Sequence, residues 1–427
     1  MESHVNNILE TTSRDKSVVA CIRNVENFTD ESRLLWEYIQ CFRGPQSQDI
    51  ETAVIVTVVN CIIFVTGVLG NVAVCVVIMK HKALSTPTDY YLLNLAIADL
   101  TLLIFGLPYD IMLYWYQYPW IFGQPVCQGR ALISEMASYV SVLTVVTFST
   151  ERYVAICHPM YTLVMSSLRR SLRIILCIWV VSFICALPFA IYSGVDYIPH
   201  PNESQNIILE SALCAMISQP ENIPLTEIST TIFFLIPMTI IIYQYIKMGL
   251  VMIRNSNNNG QLGDSLSGCV HRKDRKYEMN NRNVVKMLSL VALGFFACWC
   301  PFHAQRLISV HLDEDYYSEE INYWMYVVTG ILYYFSSTLN PILYNVTSLR
   351  MRNAFKEVMC GVKRTRRDKF MRTKCNGATG HRQCSNTSEV DDEKASLVRK
   401  KSIMSVIQKM SSATTIVDIT EENNYQR

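Results

Sequence analysis

The sequence predicts an all-α membrane protein, a bundle of seven transmembrane helices with a short membrane-surface helix after the seventh. Half of the 427 residues are hydrophobic and only 17% are charged, whereas an ordinary soluble domain carries about 25% charged residues. Seven apolar segments follow one another, each of about 19 residues or longer and therefore able to cross a hydrocarbon core of roughly 30 Å. They are residues 53–79, 90–114, 127–157, 174–195, 228–246, 287–305 and 321–349.

The distribution of basic residues predicts how the chain is oriented in the membrane. The connections after the first, third and fifth segments contain Lys and Arg, whereas residues 115–125, 193–226 and 309–321 contain none. Because short cytoplasmic loops carry the excess of Lys and Arg, we expect the N-terminus outside and the C-terminus inside. The outer connections are acidic, which indicates either simple solubility or the attraction of a cationic ligand.

The regions outside the bundle differ from it in composition. Residues 1–50 are polar and lack the features of a cleaved signal peptide, so we expect the first apolar segment to serve as the insertion signal. Asn27 and Asn202 begin glycosylation sequons on the predicted outer side. We therefore expect a glycosylated extracellular N-terminus over residues 1–50 and the bundle over 51–349. A flexible loop is predicted at residues 255–268. A disordered cytoplasmic tail is predicted at 361–427, with Ser and Thr residues available for phosphorylation.

A short helix is predicted at residues 350–360, on the inner surface of the membrane. Met351, Phe355 and Met359 recur four residues apart among basic side chains, which is typical of an amphipathic surface helix. Cys360 at its end is a candidate palmitoylation site, and the basic residues that follow favour anionic membrane lipid.

The cysteines predict one disulfide across the outer face. Of the 15 cysteines, only Cys21, Cys41, Cys127 and Cys214 fall on the outer side, where thiols are oxidised. Cys127 heads the third segment and Cys214 lies in the longest outer loop, so a bond between them would hold that loop over the mouth of the bundle. Parity also allows a bond between Cys21 and Cys41.

The third segment carries ionisable residues near both of its ends. Glu135 lies near the outer end, and Arg152 lies near the inner end within the triplet Glu151-Arg152-Tyr153, with the uncharged residues 136–150 between them. Ionisable groups at such depth are costly in hydrocarbon and are usually functional.

Further polar residues inside the segments need partners, because hydrocarbon offers none. Asp99, Ser141 and Asn340 either hold a hydrated cation such as Na⁺ together or form a water-filled hydrogen-bond network of structural value. Prolines at positions 188, 237, 301 and 341 lie in helix interiors and permit bends there.

One face of the sixth segment is polar and aromatic. Trp299, Phe302, His303 and Arg306 follow the spacing i, i+3, i+4, i+7 and lie on one side of a helix. We expect this face to point inward toward Glu135, because a buried arginine facing lipid is unfavourable. Glu135 and Arg306 then form either an ion pair that locks two helices or the two oppositely charged ends of a ligand site. Both descriptions hold in turn if a ligand separates the pair.

Motifs throughout the bundle resemble those of the rhodopsin-like family of G-protein-coupled receptors over about residues 50–360. They are Gly70-Asn71, Asn94 to Asp99, Trp120 with Phe122-Gly123, Cys127, Glu151-Arg152-Tyr153, Trp179, Pro237 with Tyr245, Cys298 to Pro301 and Asn340-Pro-x-x-Tyr344. Glu135, the run at 301–306 and residues 340–348 are similar to neuromedin U receptors and their arthropod relatives for peptides ending in Pro-Arg-x-amide. Residues 209–216 and 233–238 look most like capa receptors, with pyrokinin and ecdysis-triggering-hormone receptors as close alternatives.

The resemblance implies a plasma-membrane receptor for an amidated peptide that couples to a q-class heterotrimeric G protein and raises cytosolic Ca²⁺. Arrestin and receptor kinases would act at the phosphorylated tail. The implied ligand-binding residues are Glu135, Arg306, Asp110, Phe302, His303, Gln305 and Tyr326. The implied switch residues are Trp299, Phe295, Pro237, Val142, Asn340, Tyr344 and Tyr245, and the implied G-protein-facing residues are Glu151, Arg152 and Tyr153.

Two positions depart from the family pattern. Val142 stands where many relatives have Ile, which should leave the packing switch intact. Asn281 stands where some relatives carry an acid able to pair with Arg152, so we expect Arg152 to pair chiefly with Glu151.

Other functional classes do not fit the residues. The seventh segment has no lysine for a retinal Schiff base, with Tyr334 where it would fall by resemblance, and Ser134 stands where an amine receptor would carry aspartate. No catalytic constellation or metal-ligand spacing appears. We therefore expect no enzymatic activity, no cofactor and no nucleic-acid partner.

Overall fold

Long helices account for every predicted membrane segment in the computed structural model of the protein. The structure describes residues 31–82, 84–161, 167–200, 206–217, 223–261, 270–311 and 319–361. Its helices are α1 Glu31–Arg43, α2 Ile50–Lys80, α3 Pro87–Phe105, α4 Leu107–Trp115, α5 Gly123–Cys157, α6 Leu168–Tyr192, α7 Leu225–Thr230, α8 Ile236–Gln261, α9 Val270–His311, α10 Glu319–Thr347 and α11 Leu349–Met359. A two-stranded sheet of β1 Ser193–Pro199 and β2 Ile207–Met216 follows α6.

Within the described residues, five helical spans are long and apolar enough to cross a membrane. They are Ile50–Lys80, Pro87–Trp115, Gly123–Cys157, Leu168–Tyr192 and Leu225–Arg254. The remaining two predicted segments are α9, whose first half is charged, and α10, which is rich in Tyr, Ser, Thr and Asn. Tyr333, Tyr334, Ser337 and Asn340 of α10 are buried, so these polar groups lie inside the bundle. The fold is therefore the predicted all-α seven-helix bundle.

Two of the membrane segments contain a break in the α-helix. The second divides at Gly106 into α3 and α4, with Pro108 in the first turn of α4. The fifth contains a π-helical turn, Thr231–Leu235, between α7 and α8, just before Pro237. Such turns insert an extra residue and are frequent at functional sites.

Some predicted boundaries were wrong. The fourth segment ends at Tyr192, because Ser193 to Val195 pair with β2 and belong to a strand. Residues 255–261, predicted to be a flexible loop, continue α8 as helix, and residues 262–269 lie outside the described residues. The sixth helix begins at Val270 rather than at residue 287.

The β-hairpin covers one end of the bundle, which we call the hairpin end; the opposite end, near Arg152, is the inner end. The two strands of the hairpin are antiparallel, with Ser193 opposite Met216 and Pro199 opposite Ile207. A disulfide joins Cys214 of β2 to Cys127 of α5, with a Cα–Cα distance of 5.7 Å. The hairpin is thus fixed to α5 at the start of its second turn.

An additional helix packs on the hairpin. Tyr38 and Ile39 of α1 are buried in an apolar cluster with Tyr118, Ile198 and Ile208. Because the burial of large apolar side chains is favourable, this contact fixes α1 against both β1 and the loop after α4.

Polar contacts add to this apolar packing. Arg43 donates a 2.8 Å hydrogen bond to Asp196 of β1, and the Tyr118 hydroxyl donates one of 2.7 Å to the Gly44 carbonyl. Cys41 is disulfide-bonded, but its predicted partner Cys21 lies outside the described residues. Part of the region predicted only as a polar N-terminus is therefore an ordered cap.

At the inner end, α11 lies against α2 and α3. Its N-cap Ser348 accepts a hydrogen bond from the Met351 N–H, and Met351 is buried. Arg350 pairs with Asp89 at 2.9 Å, and Glu357 contacts His81 at 2.8 Å. This helix follows the predicted amphipathic segment closely, and Cys360 directly after it is exposed.

Candidate functional site

A cavity of about 250 Å³ opens at the hairpin end between α2, α4, α5, α9, α10 and the hairpin. Of the seven ligand-binding residues that the resemblance implies, Asp110, Glu135, Phe302, Gln305 and Tyr326 line it. Helix spacing explains the wall that α5 contributes. Cys127, Arg130, Ala131, Ser134 and Glu135 follow i, i+3, i+4, i+7, i+8 and therefore share one face.

Glu135 is paired with Arg306 of α9. The Arg306 Nη1 donates a 2.8 Å hydrogen bond to the Glu135 Oε1, and both side chains are less than a fifth exposed, at 17% for Glu135 and 18% for Arg306. The Arg306 guanidinium also lies 5.1 Å from the Phe189 ring and 5.6 Å from the Phe302 ring. Of the two arrangements left open by the sequence, the structure shows the ion pair. Glu135 lines the cavity, and Arg306 lies behind it as its partner.

A second charged pair in the wall was missed by sequence reasoning. Arg130 of α5 lies 3.4 Å from Asp110 of α4, and its guanidinium stacks 4.0 Å from the centre of the Tyr109 ring. The Tyr334 hydroxyl donates a 2.7 Å hydrogen bond to the other Asp110 oxygen. Gly106 makes room for this hydroxyl, since a Cβ there would approach it to 2.7 Å. The sequence could have indicated Arg130, because its spacing places it on the same face of α5 as Glu135.

The cavity also contains polar wall residues that the sequence analysis did not select. Asn60 of α2 is buried, and its Oδ1 has no hydrogen-bond partner in the described part of the chain. Tyr333 packs against Phe302 with ring centres 4.5 Å apart and hydrogen-bonds with Ser138 at 2.6 Å. No short motif marks these residues, because their approach depends on how α2, α5 and α10 pack.

His303, one of the implied ligand-binding residues, is not among the residues that line this cavity. It is buried between α9 and the fifth segment, 3% exposed, where its Nδ1 hydrogen-bonds with the Thr230 hydroxyl at 3.2 Å. Its ring stacks on Phe234 at 4.7 Å. The physical reason is helix phase: His303 follows Phe302 by one residue, about 100° around α9, and so faces the fifth segment.

Below the cavity, aromatic residues connect its floor to the bundle core. Trp299 stacks on Phe295 with ring centres 4.8 Å apart, and its Nε1 donates a 3.1 Å hydrogen bond to Ser336. Val142 is buried in the same apolar cluster, together with Phe234. Three implied switch residues therefore pack together beneath the cavity.

The predicted cation or water site is only partly assembled. Asn340 donates a 2.8 Å hydrogen bond to Asp99, and both residues are buried. Ser141 is also buried on α5, but among the described residues the hydrogen bond to Asp99 comes from Asn340 and not from Ser141. Tyr344 is buried as well, and its hydroxyl has no partner within the described ranges.

At the inner end, Glu151 is held by Tyr91 of α3 and Arg170 of α6. Its Oε1 accepts hydrogen bonds of 2.9 Å from both Tyr91 and Arg170. Arg152 donates to the Thr88 hydroxyl on α3. Arg170 lies in the first turn of α6 and reaches back to α5, whereas the sequence analysis counted it only as a basic residue of the connection after the third segment.

The remaining implied residues of the inner half lie on α5 and α8. The Tyr245 hydroxyl hydrogen-bonds with Ser149 at 3.3 Å. Tyr153 packs near Tyr243, with ring centres 6.3 Å apart. Both contacts tie α5 to α8.

Comparisons with known proteins give a consistent assignment. A family model described as 7 transmembrane receptor (rhodopsin family) matches residues 70–344. The Pyrokinin-1 receptor of Drosophila melanogaster is 33% identical over 370 residues, which cover 75% of this chain and 83% of that protein. Neuromedin-U receptor 2 of Mus musculus is 37% identical over 326 residues, covering 76% and 79%. The Neuromedin U receptor homolog nmur-2 of Caenorhabditis elegans is 33% identical over 346 residues, covering 76% and 84%.

These relatives are receptors rather than enzymes, and each match covers about three quarters of this chain. The chain belongs to the rhodopsin family of seven-transmembrane, G-protein-coupled receptors, in the group of the pyrokinin and neuromedin-U receptors for peptide ligands.

Proposed function

We propose that the protein is a receptor for an extracellular amidated neuropeptide ending in Pro-Arg-x-amide, of the capa kind. The observation that supports this most directly is Glu135, a largely buried acid in the cavity wall whose partner Arg306 comes from another helix. A cationic ligand side chain can take the place of that partner. An arginine is the best candidate, because its guanidinium binds a carboxylate with two parallel hydrogen bonds.

Binding changes the state of the receptor only if the ligand favours the active arrangement over the resting one. In the proposed mechanism the ligand arginine pairs with Glu135, and Arg306 turns toward the C-terminal region of the peptide. The α9 helix, released from α5 at this point, swings outward at the inner end. Trp299 and Phe295, stacked below the cavity, carry the movement into the core.

At the inner end, the rearrangement opens a cleft for the G protein. Arg152 leaves Thr88, and Tyr245 and Tyr344 move to new partners around it. Asn340 links this change to Asp99, its present hydrogen-bond partner. We propose a q-class G protein and a rise in cytosolic Ca²⁺ as the output, which follows from the resemblance to neuromedin U receptors.

The proposal includes the surroundings of the bundle. The hairpin end and the N-terminus lie outside the plasma membrane, with glycans on Asn27 and Asn202, and residues 361–427 inside recruit receptor kinases and then arrestin. Cys360, exposed directly after α11, is palmitoylated into the inner leaflet. Asn27, Asn202 and the tail lie outside the described residues.

A second candidate is a pyrokinin ligand. It is favoured by the 33% identity to the Pyrokinin-1 receptor of Drosophila melanogaster. An ecdysis-triggering-hormone-like ligand remains within the same group. All three share the arginine next to the terminal residue, so Glu135 has the same role in each.

A calcium assay on transfected cells separates these candidates. The receptor, with its surface level measured, is exposed to a panel of amidated peptides of the three classes, and each is paired with a version carrying citrulline in place of the arginine. The proposal expects the lowest half-maximal concentration for a capa-type peptide and a large loss with citrulline. Silence toward every Pro-Arg-x-amide peptide at normal surface level rejects the ligand class.

A further inference from the structure

The pair formed by Arg130 and Asp110 is loose compared with the other charged pair of the cavity. Its N···O distance is 3.4 Å, whereas that between Arg306 and Glu135 is 2.8 Å. The Arg130 Nε is buried and has no hydrogen-bond partner in the part of the chain that the structure describes. A guanidinium has five N–H donors, so Arg130 has unused donors beside the cavity that it lines.

Asp110 has unused acceptor capacity next to these donors. Its Oδ2 accepts a 2.7 Å hydrogen bond from Tyr334, while its Oδ1 has the long contact with Arg130. An ionised carboxylate has about four lone-pair sites. The cavity wall therefore presents spare donors and spare acceptors side by side, with charges that cancel.

This combination selects a particular chemical group. A primary carboxamide is neutral and has both a carbonyl acceptor for Arg130 and N–H donors for Asp110. A free carboxylate has acceptors only, and it would meet the like charge of Asp110, which is unfavourable at close range. An ammonium group would be repelled by Arg130 in the same way.

The position of the pair relative to Glu135 fits the end of a peptide. Arg130 lies five residues before Glu135 on α5, so it is about 7.5 Å nearer the hairpin end. A ligand arginine that reaches down to Glu135 with its long side chain leaves its backbone higher in the cavity, at the level of Arg130. We propose that Asp110 and Arg130 bind the C-terminal carboxamide of the ligand and exclude the free acid, an inference that rests on the proposed Pro-Arg-x-amide ligand.

The test compares two peptides that differ only at the terminus, one ending in Pro-Arg-Leu-amide and the other in Pro-Arg-Leu free acid. Leucine has no side-chain carboxamide, so any preference comes from the terminal group. The measured quantity is the ratio of half-maximal concentrations, acid over amide, in the calcium assay at matched surface level. We expect a large ratio for the unmutated receptor.

Two variants should move this ratio in opposite directions. Asp110→Asn removes the repelling charge and adds N–H donors for a carboxylate, so the ratio should fall by about tenfold or more. Arg130→Gln leaves Asp110 without its cation, so the acid should lose more than the amide and the ratio should rise. A general folding defect would weaken both peptides together and would leave the ratio unchanged.

Glu135→Gln is the matched control, since it lies in the same wall but faces the arginine. It should weaken both peptides equally and preserve the ratio. An unchanged ratio in Asp110→Asn, or equal shifts in all three variants, would overturn the inference while the response to the amide leaves the proposed function standing. Silence of the unmutated receptor toward the amide would instead reject the proposed function together with this inference.

Discussion

Replacing Glu135 with glutamine should reveal whether this residue contacts the ligand arginine. The change keeps the shape of the side chain but removes its charge. In the structure that charge is paired with Arg306 at 2.8 Å, and neither side chain is more than 18% exposed. We expect an arginine-containing peptide to lose affinity, because its guanidinium would enter a buried site without a counter-charge.

The expected loss follows from the burial of the site. A hydrogen bond to a charged group contributes about 1.5–3 kcal/mol, and an unpaired buried charge adds a further penalty that can reach several kcal/mol. Because Arg306 is already paired with Glu135, part of the free energy gained from the ligand arginine offsets the separation of the existing pair. At about 1.4 kcal/mol per decade, the half-maximal concentration should rise by roughly ten- to a thousandfold.

A double-mutant cycle distinguishes contact from indirect effects. A peptide with citrulline in place of arginine should already be weak on the unmutated receptor, and it should lose little more on Glu135→Gln because both changes remove one interaction. Glu227→Gln serves as the matched control, since Glu227 is paired with His311 at 2.9 Å and does not line the cavity. If the two losses simply add, Glu135 does not contact that arginine, and its role is the structural pair with Arg306.

Three further predictions concern the two ends of the bundle. Cys214→Ser frees the hairpin from α5 and should reduce surface expression or peptide binding; full binding at a normal surface level, measured with labelled peptide, would contradict this. Asp196→Asn removes the charge of a side chain that is 46% exposed, and should change the free energy of unfolding by less than about 1 kcal/mol. Tyr118→Ala, which removes a buried ring from the α1 cluster, should lower thermal stability in detergent clearly more than Asp196→Asn does, and equal effects would argue against the cluster. Arg170→Ala removes the 2.9 Å partner of buried Glu151 and should raise ligand-independent nucleotide exchange on a G-protein panel, whereas an unchanged rate at equal surface level would show that this pair does not restrain the resting state.

Most of the bundle followed from the sequence because hydrocarbon permits few solutions. A long apolar segment in lipid must satisfy its backbone internally, so length and composition alone indicate a helix. The errors lie where that constraint ends. The fourth helix stops at Tyr192 because Ser193 can pair with Met216 in a strand outside the bundle, and α1 is ordered by long-range contacts with Tyr118, Ile198 and Ile208.

The site was predictable where one helix defines it and not where several helices meet. The spacing of Trp299, Phe302 and Arg306 was sufficient to predict that one face of α9 points inward, and Glu135 was evident as a buried acid. Arg130 and Tyr334 were not selected because they meet at Asp110 only when α4, α5 and α10 pack together. His303 lies outside the cavity lining for the same reason. The spacing on one helix predicts a broad inward face, but it does not show which of those residues reach the cavity and which pack on a neighbouring helix.

The ion pair at Glu135 cannot account for full activation by itself. Moving a receptor from about 1% to about 99% active requires a ligand that binds the active state about 10⁴-fold more tightly, or about 5.5 kcal/mol. Two parallel hydrogen bonds between the ligand guanidinium and Glu135 would supply about 3–6 kcal/mol, at about 1.5–3 kcal/mol each. Separating Glu135 from Arg306 gives up a charge-assisted bond of the same kind, so the net gain is well below this sum. The remainder must come from contacts that also differ between the two states. The loose pair of Arg130 and Asp110, which has unused donors and acceptors at rest, is the part of the described cavity best suited to gain such contacts.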